Sequence, residues 1–321
     1  MSAALAAKVA AGEKSAVARA IDLVEDRRPS SRADIAALLV ELARTNGRNG
    51  VRVGITGPPG AGKSTLVAAL ARVLRAQSRT VGVLAVDPTS IRSGGALLGD
   101  RARMGFDPLD AGLFVRSAST GGQAGGLTFA AQAIVAVLAT AYDVVLVETT
   151  GVGQTETDVE RIADVVVLVV QPGSGDTLQF LKAGVMEIPD VLVVNKADEA
   201  GLARRAAGDL RSALNSLGTA GVAGTLDVPV LLTSARDHTG IDELVAAIES
   251  VRLALGPAGL AQRRSRGAVA SAVALFVSRH GEQGVERLGG VEVVRALAEQ
   301  HVRAGMPHVA VAIALGEALG G

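Results

Sequence analysis

The spacing of apolar positions changes once the chain passes residue 50. Before that point they recur at helical intervals, at Val17, Ile21 and Val24 and then at Ile35, Leu38, Leu39 and Leu42. That spacing predicts a two-helix prefix over 1–46, followed by a polar break at 46–50. From Val51 onward, short runs rich in β-branched residues take over, at 51–56, 80–86, 143–148, 163–170, 191–195 and 228–233. Helical stretches fall between them, at 63–77, 123–140, 177–187, 201–217 and 241–255. Near-continuous apolar strands alternating with helices predict an α/β fold with a mostly parallel, doubly wound sheet covered on both faces. Ligands of such sheets lie beyond the carboxyl ends of the strands. Residues 256–267 read as a Gly/Arg-rich linker and 268–321 as a helical tail. The expected organisation is therefore 1–46, 47–256 and 257–321.

Candidate chemistry begins at two of the predicted strand ends. Gly57-Pro58-Pro59-Gly60-Ala61-Gly62-Lys63-Ser64, with Thr65 behind it, fits G-x-x-x-x-G-K-[ST] directly after a strand and at the start of a helix. Glycines let successive N–H groups turn inward on a polyphosphate, and the helix N-terminus adds positive potential. Lys63 would reach the β- and γ-phosphates, and the Ser64 hydroxyl would ligate Mg²⁺. After 191–194 comes Asn195-Lys196-Ala197-Asp198. A carboxylate at Asp198 accepts two parallel hydrogen bonds, which the N1–H and N2 amine of guanine supply and adenine does not. Lys196 can lay its stem along a base plane, and Asn195 can brace the neighbouring loops. Ser234 and Ala235, after the next strand, can offer a backbone N–H to the guanine carbonyl.

A third group of residues points to the metal. Glu148 ends an apolar strand and is followed by Thr149-Thr150-Gly151-Val152-Gly153-Gln154. An acid there can hold Mg²⁺ through water, while the Gly151 N–H senses a γ-phosphate. Asp87 follows a strand directly, and Asp100 lies in a predicted loop. Magnesium keeps several waters, so outer carboxylates of this kind suit it. No residue declares itself as the group that positions the attacking water, although Gln154 is a candidate.

Composition narrows the classes further. Lys and Arg together number 32 and so do Asp and Glu, so the balanced charge gives no support for bulk nucleic-acid or membrane-surface binding. The longest apolar runs, such as 268–277, are about half the roughly 20 residues a bilayer span needs. The N-terminus lacks the blocks of a signal peptide, so a cytoplasmic protein is expected. Cysteine is absent and the four histidines are scattered, which excludes disulfides and argues against a transition-metal site. Only five basic residues are lysine: Lys8, Lys14, Lys63, Lys182 and Lys196. In a chain that otherwise uses arginine, a lysine inside a motif suggests a need for a compact ammonium on a flexible stem.

Together these strings resemble the MeaB/MMAA family, GTPase chaperones of adenosylcobalamin-dependent methylmalonyl-CoA mutase, also labelled ArgK or lysine/arginine/ornithine transport ATPases. The resemblance runs from about Val51 to Ala235. It rests on Gly57 to Thr65, Ala85-Val86-Asp87-Pro88-Thr89-Ser90, Leu98-Gly99-Asp100-Arg101, Glu148 to Gln154, Gly175-Asp176 with Lys182, and Asn195 to Asp198. It implies a P-loop NTPase fold of the SIMIBI type, with helical N- and C-terminal extensions. It further implies hydrolysis of GTP to GDP with Mg²⁺, in a site that Asp87, Asp100 and Glu148 shape. Segment 171–182 would be a mobile switch answering to the mutase, with Lys182 acting in partner-stimulated hydrolysis. A homodimer formed through the C-terminal arm is implied as well, and a cobalamin adenosyltransferase is a further candidate partner. Two alternatives stay open: another adenosylcobalamin-dependent acyl-CoA mutase as client, and a nucleotide-dependent scaffold with negligible turnover.

Overall fold

The computed structural model describes residues 2–87, 106–107, 109–119, 129–149, 159–173, 189–219 and 227–319, without the side chains of Asp87, Ser119 and Phe129. Among the described residues the elements are α1 (Ser2–Ala10), α2 (Lys14–Val24), α3 (Arg32–Arg44), β1 (Val51–Thr56), α4 (Lys63–Ala76), β2 (Val81–Asp87), β3 (Leu113–Ser119), α5 (Phe129–Ala141), β4 (Val144–Glu148), β5 (Val165–Val170), β6 (Val191–Val194), α6 (Ala200–Thr219), β7 (Val230–Leu232), α7 (Ile241–Arg287), α8 (Val291–Arg303) and α9 (His308–Glu317).

The strands form one sheet in the order β3-β2-β4-β1-β5-β6-β7, and every pairing is parallel. Parallel pairing requires crossovers that cover both faces, which explains why β4, β5 and β6 are buried at every position. The two-residue period of a strand then sorts the side chains. Val165, Val167 and Val169 join Leu66, Leu70 and Leu74 of α4 and Ile241, Leu244 and Ile248 of α7 on one face. Leu168 and Val170 face the other way, onto Ala203, Ala207, Leu210 and Leu214 of α6. Register aligns the carboxyl ends. Ile55 pairs with Glu148 and Thr56 with Leu168, so β1, β4 and β5 finish together at the sheet centre.

Aspartates close the opposite edge. The Arg52 N–H donates to Asp164 Oδ2 at 3.0 Å, and the Asp164 N–H returns a bond to the Arg52 carbonyl at 2.8 Å. Asp190 repeats the arrangement one strand over, accepting from the Val166 N–H at 2.8 Å. Each carboxylate continues the ladder where a strand has not yet begun.

Two compact units emerge. One comprises Val51–Thr128 and Val144–Gly256, and the other Met1–Gly50, Phe129–Asp143 and Pro257–Gly321. In the second unit, α1, α2, α3 and α5 pack together and bury Ala6, Val9, Val17, Ile21 and Leu38. Phe276 of α7, Val294 and Ala298 of α8, and Val311 and Leu315 of α9 form a separate apolar cluster.

The elements depart from the sequence reading in three places. The N-terminal prefix has three helices rather than two; α1 is alanine-rich and ends at left-handed Gly12, so it shows no stripe of large apolar residues. Strand β3 was not expected. It lies at the sheet edge, and its only large buried apolar residues are Leu113 and Val115, with the small Ala118 buried near its end. Residues 256–267 are helical rather than a linker. Gly256 is left-handed (φ 60), as at a helix end, but Pro257 follows it at a helix-starting position. Ala, Leu, Gln and Arg then carry the helix on. By length and composition α7 is apolar enough to cross a membrane, although Leu244 and Ile248 are committed to the sheet core. The predicted helix at 177–187 lies outside the described residues.

Asp164 is fully buried and answers a strand N–H, so Asp164→Ala should cost about 1–3 kcal/mol, read as a lower urea midpoint at constant slope. Asp164→Asn keeps an acceptor and should cost less. Equal midpoints for Ala and wild type would show that the carboxylate does not close the ladder.

Candidate functional site

Between β1 and α4 the chain turns on three left-handed glycines: Gly57 (φ 139), Gly60 (φ 80) and Gly62 (φ 88). A Cβ on Gly57 would lie 2.0 Å from the Val169 carbonyl oxygen, and one on Gly62 would lie 2.5 Å from Asn195 Nδ2. Glycine at both positions is therefore a steric requirement as well as a conformational one. The loop delivers Lys63 and Ser64 to the first turn of α4. Lys63 is buried, and its ammonium donates to the carbonyls of Gly57 (2.8 Å) and Pro58 (3.0 Å), inside the curve of the loop.

Ser64 Oγ donates to Glu148 Oε1 at 2.5 Å, across 84 residues of sequence. Glu148 is itself buried at the end of β4. A hydroxyl and a carboxylate held this close are a hard oxygen donor set, which suits Mg²⁺ and not a thiolate- or imidazole-seeking ion. The next residue, Thr149, is anchored to β1. Its N–H donates to the Ile55 carbonyl, and its hydroxyl donates to Thr56 Oγ1 at 3.0 Å with both side chains buried.

Asn195 ties the loops together. It is buried, and its amide nitrogen donates to the Ala61 carbonyl at 2.9 Å and reaches Gly62 O at 3.4 Å. Its amide oxygen accepts from Thr233 Oγ1 (3.1 Å) and from the Ala235 N–H (3.2 Å). One side chain thus joins the phosphate loop, the turn after β6 and the turn after β7. Asp198 is exposed in the turn that leads to α6. Lys196 adopts a left-handed backbone (φ 59), and its ammonium donates to Gln171 Oε1 at 2.8 Å. Ser234 Oγ donates to Asp237 Oδ2 at 2.9 Å. The N–H of Ser234 is engaged by Thr239 O, and that of Ala235 by Asn195.

The structure therefore brings Gly57 to Ser64, Glu148, Asn195, Ser234 and Ala235 into one hydrogen-bonded neighbourhood. Asp87 ends β2, whose Ala85 pairs with Glu148, so its backbone lies along the same strand-end row. Asp100, Gly151, Gln154 and Lys182 lie outside the described residues. Sequence reasoning missed the Thr56–Thr149 hydroxyl pair and the Gln171 partner of Lys196. The residues stand out as polar positions directly ending or following an apolar strand, but nothing in the sequence pairs them.

A glycine-rich grip after the central strand of a parallel sheet, with an acid on the adjoining strand, defines a P-loop nucleotide hydrolase. The model of the family described as "Methylmalonyl Co-A mutase-associated GTPase MeaB" matches residues 17–286. A Pyrococcus abyssi protein named as a GTPase is 39% identical over 315 residues, which is 97% of this chain and 94% of that protein. GTPase ArgK of Escherichia coli K12 is 38% identical over 258 residues, 78% of this chain and 76% of its own. The mitochondrial methylmalonic aciduria type A homolog of Caenorhabditis briggsae is 40% identical over 198 residues, 58% of this chain and 48% of that one. The crystal structure of a LAO/AO transport system kinase matches with a TM-score of 0.67 and 29% identity, covering 94% of this chain and 91% of that chain. The chain belongs to the MeaB family, and it is a GTPase.

Asn195→Ala removes one donor and one acceptor from a buried junction of three loops, and should lower stability by about 2–4 kcal/mol. GTP affinity should fall more than about 10-fold in the same protein. Chemical denaturation and calorimetry read the two effects, and an unchanged affinity would show that the junction does not shape the site.

Proposed function

We propose that this GTPase is slow alone and stimulated by a partner, and that it gates adenosylcobalamin loading into a mutase and protects it, with methylmalonyl-CoA mutase as the client. The family description and the name of the Caenorhabditis briggsae relative support that client. The observation that carries the nucleotide reading is the Asn195 bond to Ala61, which holds a base-reading loop against a phosphate grip. In this reading Gly57, Pro58, Pro59, Gly60, Ala61, Gly62, Lys63, Ser64 and Thr65 hold the phosphates. Asn195, Lys196 and Asp198 select guanine, and Gly151 senses the γ-phosphate. Ser234 and Ala235, whose N–H groups are engaged by Thr239 and Asn195, close the loop beside them rather than offering a free N–H.

Ser64, Asp87, Asp100 and Glu148 would hold Mg²⁺, which when bound supplies positive charge to the phosphate oxygens. The protein's own contribution is positional. Lys63 brings an ammonium to the β- and γ-phosphates as charge moves toward them, and the N–H groups of the glycine loop are aimed inward before reaction begins. Glu148 holds the Ser64 hydroxyl in place. Lys182 completes the site when the client docks, which accounts for slow turnover without it. Nucleotide state would order 149–154 and 171–182, and so alter the surface the mutase meets. The protein acts in the cytoplasm as a homodimer through its C-terminal arm, with a cobalamin adenosyltransferase as a further candidate partner.

Calorimetry with magnesium tests the nucleotide reading: GTP should bind at least about 100-fold more tightly than ATP. Asp198→Asn should erase most of that difference while the melting temperature stays put, and a retained preference would remove Asp198 from the base site. For the client, hydrolysis is measured with and without methylmalonyl-CoA mutase. Lys182→Ala should cut the ratio of stimulated to unstimulated rate by about 10-fold or more. A ratio equal to that of wild type would retire the assignment.

A further inference from the structure

Two loops at the carboxyl edge of the sheet are joined twice in succession. The Asn195 N–H donates to the Val170 carbonyl at 2.8 Å, and one residue further along each chain Lys196 Nζ donates to Gln171 Oε1 at 2.8 Å. The first bond continues the β5–β6 ladder, as any parallel pair would. The second is made by side chains, and it determines where the lysine stem lies.

Both ends of that stem are fixed. At the backbone end, Asn195 is buried and held through its amide by Ala61, Thr233 and Ala235, and Lys196 itself adopts a left-handed conformation uncommon for a residue with a side chain. At the other end the ammonium rests on the Gln171 amide. Between these anchors run four methylenes, exposed at the edge where the base-reading loop lies. A free lysine would sample many rotamers there, and ordering it would weigh against binding. A tethered one offers a flat apolar bar in advance. Gln171 suits this task chemically. A neutral amide oxygen holds an ammonium without cancelling its charge or adding an anion beside a polyphosphate.

We propose that Gln171 is a positioning residue for the nucleotide base, fixing the Lys196 stem as the shelf on which the purine lies. The proposal rests on the reading of Asn195 to Asp198 as the base-reading loop. Gln171 touches no phosphate in this scheme, so its influence is confined to ligands that carry a base. Gln171 also opens the segment 171–182, so the same bond gives base occupancy a direct mechanical link to the first residue of that segment.

The test follows release of a fluorescent methylanthraniloyl-GDP from the full chain. Gln171→Ala should speed release about 3- to 10-fold, the range expected for freeing one long side chain, and Gln171→Glu, which keeps the acceptor oxygen but places an anion beside the polyphosphate, should restore it only in part. Lys196→Met keeps the stem without the ammonium and should also speed release, but Gln171→Ala should add less than about 2-fold on that background. Inorganic tripolyphosphate, a ligand with no base, should bind wild type and Gln171→Ala equally. Unchanged release in Gln171→Ala, full additivity of the two substitutions, or a parallel loss of tripolyphosphate binding would each overturn the proposal. If wild type released the GDP and ADP derivatives equally fast, the base-reading assignment itself would fall, a result distinct from all of these.

Discussion

The nucleotide site depends on a buried primary amide. Asn195 spends its donor on the phosphate-loop carbonyls and its acceptor on Thr233 and Ala235, and water does not reach it. In a low-dielectric interior such a group tolerates little displacement, because any partner it loses becomes an unsatisfied polar atom. The three loops are therefore held as a set rather than separately. The arrangement is possible because β1, β5, β6 and β7 lie side by side in the sheet although β1 is far from the others in the chain. Sheet order thus provides what the amide then makes exact to a few tenths of an ångström.

Around that junction the charged groups are handled in two ways. Lys63 and Glu148, the buried ones, are engaged by nearby oxygen atoms of the site, two carbonyls for the lysine and the Ser64 hydroxyl for the glutamate. Lys196 and Asp198, the exposed ones, sit at the rim where a base would meet solvent. On the proposed assignment, burial of the first pair would suppress water competition for phosphate and metal, and exposure of the second would keep their desolvation for the moment of binding. The Thr56–Thr149 pair adds a neutral clasp at the base of the segment that follows Glu148.

Much of this was legible in the sequence, for physical reasons that differ by element. The strands flanking the site are buried on both faces and so read as unbroken apolar runs. The glycines of the phosphate loop are obligatory, since a Cβ on Gly57 or Gly62 would collide with Val169 or Asn195. Elements set by weaker constraints did not stand out. Edge strand β3 shows only half a pattern, α1 packs through alanine, and the helix beyond Pro257 is written in good helix formers that also look like a charged linker. Contacts made by a single side chain, such as Gln171 with Lys196, have no sequence period and emerge only from coordinates.

The discontinuous make-up of the helical unit bears on how the chain matures on the ribosome. Its parts, Met1–Gly50, Phe129–Asp143 and Pro257–Gly321, are synthesised first, midway and last. The sheet unit has all its strands once Gly256 has emerged, whereas α3 must wait for α9, one of the helices it packs against. Until then α3 lacks one of its packing partners, so the segment made earliest completes its packing late.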